Sequence, residues 1–212
     1  ELLLDSVKPA LQALMAQPDV LVINLLRYED GAVQSPYSSV SRLFRKHPAI
    51  QWSRAYHSMI DDSVEELLKS EPQWRVVDCA EPALFHTGYG PAELIAGNKA
   101  NRLREAMEAE LASKPGDPYA CAKLGALKVA SGQREQGVAL LQQGLTALEN
   151  SDERAAERYE LLLHLAMAQR DQDPSEAITT YREALTLPVA PRLGIGARLN
   201  LGALLLRMNK LA

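Results

Sequence analysis

At 212 residues, 47% of them hydrophobic and 24% charged, the chain is long enough to build one large or two small cores. A formal net charge of −4 excludes whole-molecule attraction to nucleic acid or anionic lipid and leaves only local basic clusters for such contacts. The two cysteines, Cys79 and Cys121, lie in separate segments and form neither a metal knuckle nor a disulfide framework, which fits buried thiols in a reducing, cytoplasmic setting.

No apolar run reaches the ~18 residues a membrane span requires. The longest, Val20 to Leu26, has the length of a strand, and no signal-peptide pattern of charged, apolar and small residues is present. The chain starts at Glu1 without a methionine and stops at Ala212 directly after a helical run, which reads as a fragment with a missing segment on at least one side.

In chain order, Ser6 is the expected N-cap of a short helix that carries Leu11, Leu14 and Met15 and stops before Pro18. Val20 to Leu26 is nearly all apolar, as in a strand covered on both faces, and Asp30-Gly31 and Ser35-Pro36 are turn chemistry. Val40 to Lys46 and Ile50 to His57 read as two more strands around the His47-Pro48 break. In the second, Ile50, Trp52 and Tyr56 would share one face and Gln51, Ser53 and His57 the other. Asp61 or Asp62 caps a helix through Leu68, Trp74 to Cys79 makes another strand, and Ala83 to Thr87 a last one.

From there the period changes to that of helices. Gly90-Pro91 opens a helix with the apolar line Ile95, Leu103, Met107 and Leu111, and Lys114-Pro115-Gly116 ends it. Asp117-Pro118 then caps a helical hairpin whose turn is at Gly132. Tetratricopeptide repeats place a Leu-Gly pair in the first helix and small residues in the second, because the two helices approach closely there. Leu124-Gly125, Gly137 and Gly144 supply these, and the second unit shows Leu165-Ala166, Ala177, Tyr181 and Ala184. A third begins at Leu201-Gly202. The second unit is longer than the ~34-residue standard, with the extra length expected between Asn150 and Ala155.

Taken together, Arg42-Leu43-Phe44-Arg45, Tyr56-His57, His86-Thr87-Gly88-Tyr89, Lys99 with Arg102, and Asp117-Pro118-Tyr119 leading into repeats resemble one family. It is that of the bacterial family 2 glycosyltransferases carrying tetratricopeptide repeats behind a GT-A catalytic domain. Two positions depart from the family pattern: Ser58 follows His57 where the family has His-Glu, and Arg54 stands where a glycine is usual. The family's nucleotide-binding half, which ends in an Asp-x-Asp metal motif, does not precede Glu1.

The resemblance implies an α/β fold, a partial GT-A-like mixed sheet with helices, over residues 1–90, a connecting helix over 91–116, and an all-α tetratricopeptide-repeat superhelix over 117–212. It implies the C-terminal part of an inverting enzyme that moves a sugar from a nucleotide-sugar donor to an acceptor hydroxyl, inactive as cut. That chemistry needs a divalent cation, Mg or Mn in the parent enzyme, basic residues for the diphosphate and a carboxylate for the acceptor proton. By resemblance His86 serves the metal, Arg42, Arg45, Tyr89 and Lys99 the donor phosphates, and His57 and Asp61 the catalytic step.

Each residue has a structural rival. A histidine at a strand end is more often satisfied structurally. Arg42 and Arg45 are an odd number apart, so a regular strand sends them to opposite faces. Lys99 and Arg102 read as a solvent face, Tyr89 as packing at a helix entrance, and Asp61 and Asp62 as helix caps. The repeats carry a second reading, a non-catalytic module for a protein or peptide partner, which Ser58 favours. Counted from Pro118, its groove residues are Tyr119, Ala122, Ala126 and Val129, an uncharged set.

Overall fold

The computed structural model describes residues 1–32, 35–54, 58–87, 99–148 and 154–208. The chain forms two compact units, Glu1–Ala96 and Gly97–Ala212.

The first unit holds β1 (Leu2–Leu3), α1 (Lys8–Met15), β2 (Val20–Glu29), β3 (Tyr37–Phe44), α2 (Asp61–Ser70) and β4 (Arg75–His86). The sheet order is β1-β4-β2-β3; β2 and β4 run parallel, and β1 and β3 are antiparallel to their neighbours. The central place of β2 explains its unbroken apolar run. Val20, Ile23 and Leu25 pack with Val7 and Leu11 around α1, while Leu21 and Val22 pack with Ile60, Val64 and Leu67 around α2. Burial on both faces leaves no polar alternation to read.

Three expectations are corrected here. The strand expected over Ile50 to His57 is not formed in its described part, Ile50 to Arg54, which holds one bridge, Ser53 with Met59; residues 55–57 lie outside the described residues. The segments around Trp74–Cys79 and Ala83–Thr87 are one strand, β4, which crosses Pro82 because the pairing slips there: Asn24 faces Asp78, whereas Leu26 faces Pro82. A bulge absorbs the missing proline N–H without ending the strand. Neither Ser6 nor the aspartates cap as expected. The residues before α1 and α2 are Val7 and Ile60, neither with a side-chain cap.

The second unit is helical: α3 (Lys99–Ser113), α4 (Pro118–Ala130), α5 (Arg134–Ala147), α6 (Ala155–Gln169), α7 (Pro174–Thr186) and α8 (Ile195–Arg207). The helix expected to open at Gly90-Pro91 is described only from Lys99, where α3 begins, and Ile95 lies outside the described residues. Asp117 caps α4 as expected, its Oδ1 accepting from the Ala120 N–H at 2.9 Å, and Asp173 repeats the device on α7 through the Glu176 N–H at 2.9 Å. Gly116 and Gly132 stand at φ +81° and +84°, backbone that only glycine adopts freely.

The small residues act as expected. A Cβ on Gly137 would stand 2.6 Å from the Gly125 carbonyl oxygen and 2.6 Å from Val129 Cγ2, and one on Gly144 would stand 2.8 Å from both Cys121 Cβ and Leu161 Cδ2. Helices α4 and α5 touch backbone to backbone, and Gly144 lets α5 meet α6 as closely. In the second hairpin Ala166, Ala177 and Ala184 are fully buried around Tyr181.

Candidate functional site

In the first unit, β2 continues three residues past its apolar run because Arg27 and Glu29 have partners at that end of the sheet. Glu29 is 4% exposed. Its carboxylate accepts from Arg27 Nε at 2.6 Å, from the Ser38 hydroxyl on β3, and from His86 on β4, whose Nδ1 lies 2.7 Å from Glu29 Oε2. A carboxylate that accepts from His86 fixes Nδ1 as the proton-bearing nitrogen. Arg27 also binds Glu1. Burial works against the Arg27 charge, but its bonds to Glu1 and Glu29 outweigh burial and hold its pKa above the ordinary arginine value; Arg27 in turn outweighs burial at Glu1 and lowers that pKa.

On the opposite face of β2 a second polar row crosses the sheet. Asn24 Nδ2 donates to Asp78 Oδ1 at 3.0 Å, and the Ser41 hydroxyl is shared between Asn24 Oδ1 at 2.9 Å and Asp61 Oδ1 at 2.8 Å. Asp62 accepts from Ser53 Oγ at 2.8 Å and from Arg54 Nη2 at 3.3 Å. Asp61 therefore ties α2 to β3, and Asp62 ties it to the segment around Ser53 and Arg54. Arg54 has φ +69°, the left-handed region. A non-glycine residue held there costs of order 1 kcal/mol or more, and the buried ion pair with Asp62, whose Arg54 side chain is 1% exposed, holds it.

The residues singled out in the sequence separate into several places. Arg45 donates to the carbonyls of Val20 at 2.7 Å, Met15 at 2.6 Å and Gln17 at 2.8 Å, so its guanidinium clasps the end of α1 and the start of β2. The Nε and Nη2 groups of Arg45 are thus engaged by main-chain carbonyls. Arg42 donates to the Ser58 carbonyl at 2.9 Å and lies over the exposed Trp52 ring, 5.4 Å from its centroid. Asp61 belongs to the polar row and His86 to the Glu29 cluster. His57 and Tyr89 lie outside the described residues, as does the Lys99 side chain. Among the described residues, no group of three or more histidine, cysteine, aspartate or glutamate side chains is arranged to hold a metal ion.

In the second unit, Tyr119 and Ala122 are buried at 8% and 2%, and Ala126 and Val129 are half-buried. Val129 turns toward Gly137 inside its own hairpin, its Cγ2 2.6 Å from where a Cβ on Gly137 would stand. Sequence reasoning missed the charged cluster beside them. Glu160 on α6 binds Lys123 of α4 and lies 3.5 Å from His164 Nε2, and Lys123 stands 5.3 Å from the Tyr119 ring centroid. Burial would raise the Glu160 pKa, yet Lys123 and then His164 outweigh it and hold the carboxyl well below its usual range. The signal was available: Tyr119 and Glu160 hold the same register before Leu124-Gly125 and Leu165-Ala166, as do Lys123 and His164.

No family model matches the chain. Over 195 residues it is 41% identical to a TPR repeat-containing protein of Synechococcus elongatus, a match covering 92% of the chain and 48% of that protein. The chain spans about half the length of this curated relative. The second unit is built of close-packed helical hairpins, which agrees with the relative's name. Among the described residues no helix is long and apolar enough to cross a membrane.

Proposed function

We propose that the chain is a protein-interaction module, in which the repeat unit presents its first helices, α4, α6 and α8, to a protein or peptide partner. The supporting observation is the register of the hairpins: Gly125 meets Gly137, Ala166 lies buried with Ala177, and Leu201-Gly202 begins a third unit. Stacked hairpins of this kind bury their small residues between helices and leave an extended surface for binding. The test is affinity capture by the whole chain, compared with a variant in which half-buried Ala126 and Met167 are both changed to arginine and folding is verified by circular dichroism. The retained set of proteins should be lost with the double variant. Retention of the same set by the folded variant would overturn the reading.

A second reading, sugar transfer by the parent protein, is favoured by one observation: a buried carboxylate orients the His86 imidazole. Such a carboxylate–imidazole pair suits proton transfer or metal ligation. In this reading Asp61 takes the acceptor proton, Arg42 faces the donor, and a divalent cation supplies charge to the diphosphate. His86→Ala in the parent should reduce nucleotide-sugar turnover sharply, and unchanged turnover would remove His86 from that role.

A further inference from the structure

Trp52 is 55% exposed, and the hydrogen bonds of the first unit hold it so. Its neighbours on both sides are anchored. Gln51 exchanges two bonds with the Ser63 hydroxyl, each 3.0 Å, and Ser53 pairs with Met59 through both main-chain groups, at 2.8 and 3.1 Å. Ser53 Oγ also donates to Asp62 at 2.8 Å. The next residue, Arg54, stands at its left-handed φ of +69° and pairs with the same aspartate. Phe44 meets the indole edge-on, with ring centroids 6.0 Å apart.

Arg42 reaches this ring through a second irregularity. Ile23 faces Leu43 whereas Asn24 faces Ser41, so Arg42 is the extra residue of a β-bulge, a device that re-aims a side chain. Its guanidinium carbon stands 5.4 Å from the Trp52 centroid, and Nη1 donates to the Ser58 carbonyl at 2.9 Å. A bulge, a left-handed residue and an exposed indole thus gather at one place, and backbone strain of this kind collects at ligand sites.

The fold leaves the Arg42 charge uncompensated. The unit Glu1–Ala96 carries 13 acidic and 8 basic residues, and Lys8, Arg27, Arg54, Lys69 and Arg75 all have carboxylate partners. Among the described residues no carboxylate pairs with Arg42, and Glu1, which feels its field, is bonded to Arg27 instead. Its Nε–Nη2 edge, a side of the fork that grips a carboxylate, makes no hydrogen bond among the described residues.

Charge names the occupant. One arginine over one indole fits a single carboxylate with an apolar or flat neighbour. A run of phosphates would meet the excess of carboxylates in this unit, among them exposed Asp61, held by Ser41 next to Arg42. Tryptophan and arginine on a fixed backbone are the residue types that anchor protein partners.

We propose that Arg42 and Trp52 form an anchor site for an acidic segment of a partner protein, one carboxylate on the Arg42 edge and the adjoining apolar side chain on the indole. This adds a contact on the first unit to the protein-interaction reading and rests on it.

The test selects a displayed random-peptide library on the whole chain. It should enrich an aspartate or glutamate beside an aromatic or aliphatic residue, and the leading peptide should bind saturably in fluorescence anisotropy. Arg42→Gln and Trp52→Ala should each weaken it by about tenfold or more, the scale of one interface hot spot. Arg42→Lys, which keeps the charge without the fork, should not restore the affinity. Both side chains are exposed, so the variants should fold, and a thermal melt verifies this. Enrichment without acidic residues, or binding unchanged by Arg42→Gln, overturns the proposal. So does displacement of the peptide by uridine diphosphate at constant ionic strength, which assigns the arginine to phosphate. If no such peptide is enriched while partner capture stays sensitive to the Ala126 and Met167 changes, the interaction reading stands and the Arg42–Trp52 assignment falls.

Discussion

Tyr159 and Tyr181 lie in the same core cluster with opposite consequences. Tyr159 donates to the Leu193 carbonyl at 2.8 Å and accepts from the Ala197 N–H at 3.2 Å, joining α6 to the start of α8. The Tyr181 hydroxyl is buried with no hydrogen-bond partner among the described residues, and burial, ahead of its charged neighbours, pushes its pKa up to about 12. Tyr159→Phe should therefore cost about 1–2 kcal/mol, because two main-chain groups lose their partner, whereas Tyr181→Phe should be neutral or stabilise by about 1 kcal/mol. Urea unfolding with an unchanged m-value reads both. At Cys121, burial first and Asp117 second push the thiol up to about 11. It should resist iodoacetamide at pH 8 in the folded chain and react once the chain is unfolded.

The glycines give a matched pair of predictions on the helices. Gly137→Ala forces a Cβ against the Gly125 backbone and should destabilise by about 1–3 kcal/mol. Gly202→Ala meets nothing among the described residues and should stabilise by about 0.5–1 kcal/mol through the helix propensity of alanine. Between helices α4 and α6, the Glu160 pKa lies below its ordinary 4.5 despite burial, owing to Lys123 and His164. A lowered folded-state pKa contributes stability that is complete above 4.5 and is lost as pH falls below it. Glu160→Gln should thus be less stable than the parent at pH 7, with the gap closing in acid, as followed by thermal melts across pH. Legibility differed between the units for a physical reason. Helical spacing and Asp-Pro caps are local, so α4, α5 and the role of Gly137 could be read directly. In the sheet, Arg27 and Glu29 extend β2 only because Ser38 and His86 come from other strands, and no local pattern announces that. Ile50 to His57 had strand alternation, but its described part, Ile50 to Arg54, joins no ladder and makes one isolated bridge.

For the whole chain, the repeats could be read because they recur, and recurrence is a property of sequence alone. The Glu29–His86 cluster could not, since it joins residues 57 apart. The carbonyl partners of Arg45, at Met15, Gln17 and Val20, were likewise not legible from its motif, because they lie 25 to 30 residues earlier in the chain. The chain is 41% identical over 195 residues to a TPR repeat-containing protein, and the Glu29–His86 pair belongs to the proposed sugar-transfer reading that turnover assays test. The most direct measurement is site-specific photo-cross-linking with the probe placed at position 167 on α6, and in parallel at exposed Glu66 on α2. A discrete protein adduct from position 167 and none from position 66 is the predicted result. Adducts from position 66 alone, or none from 167, would contradict it.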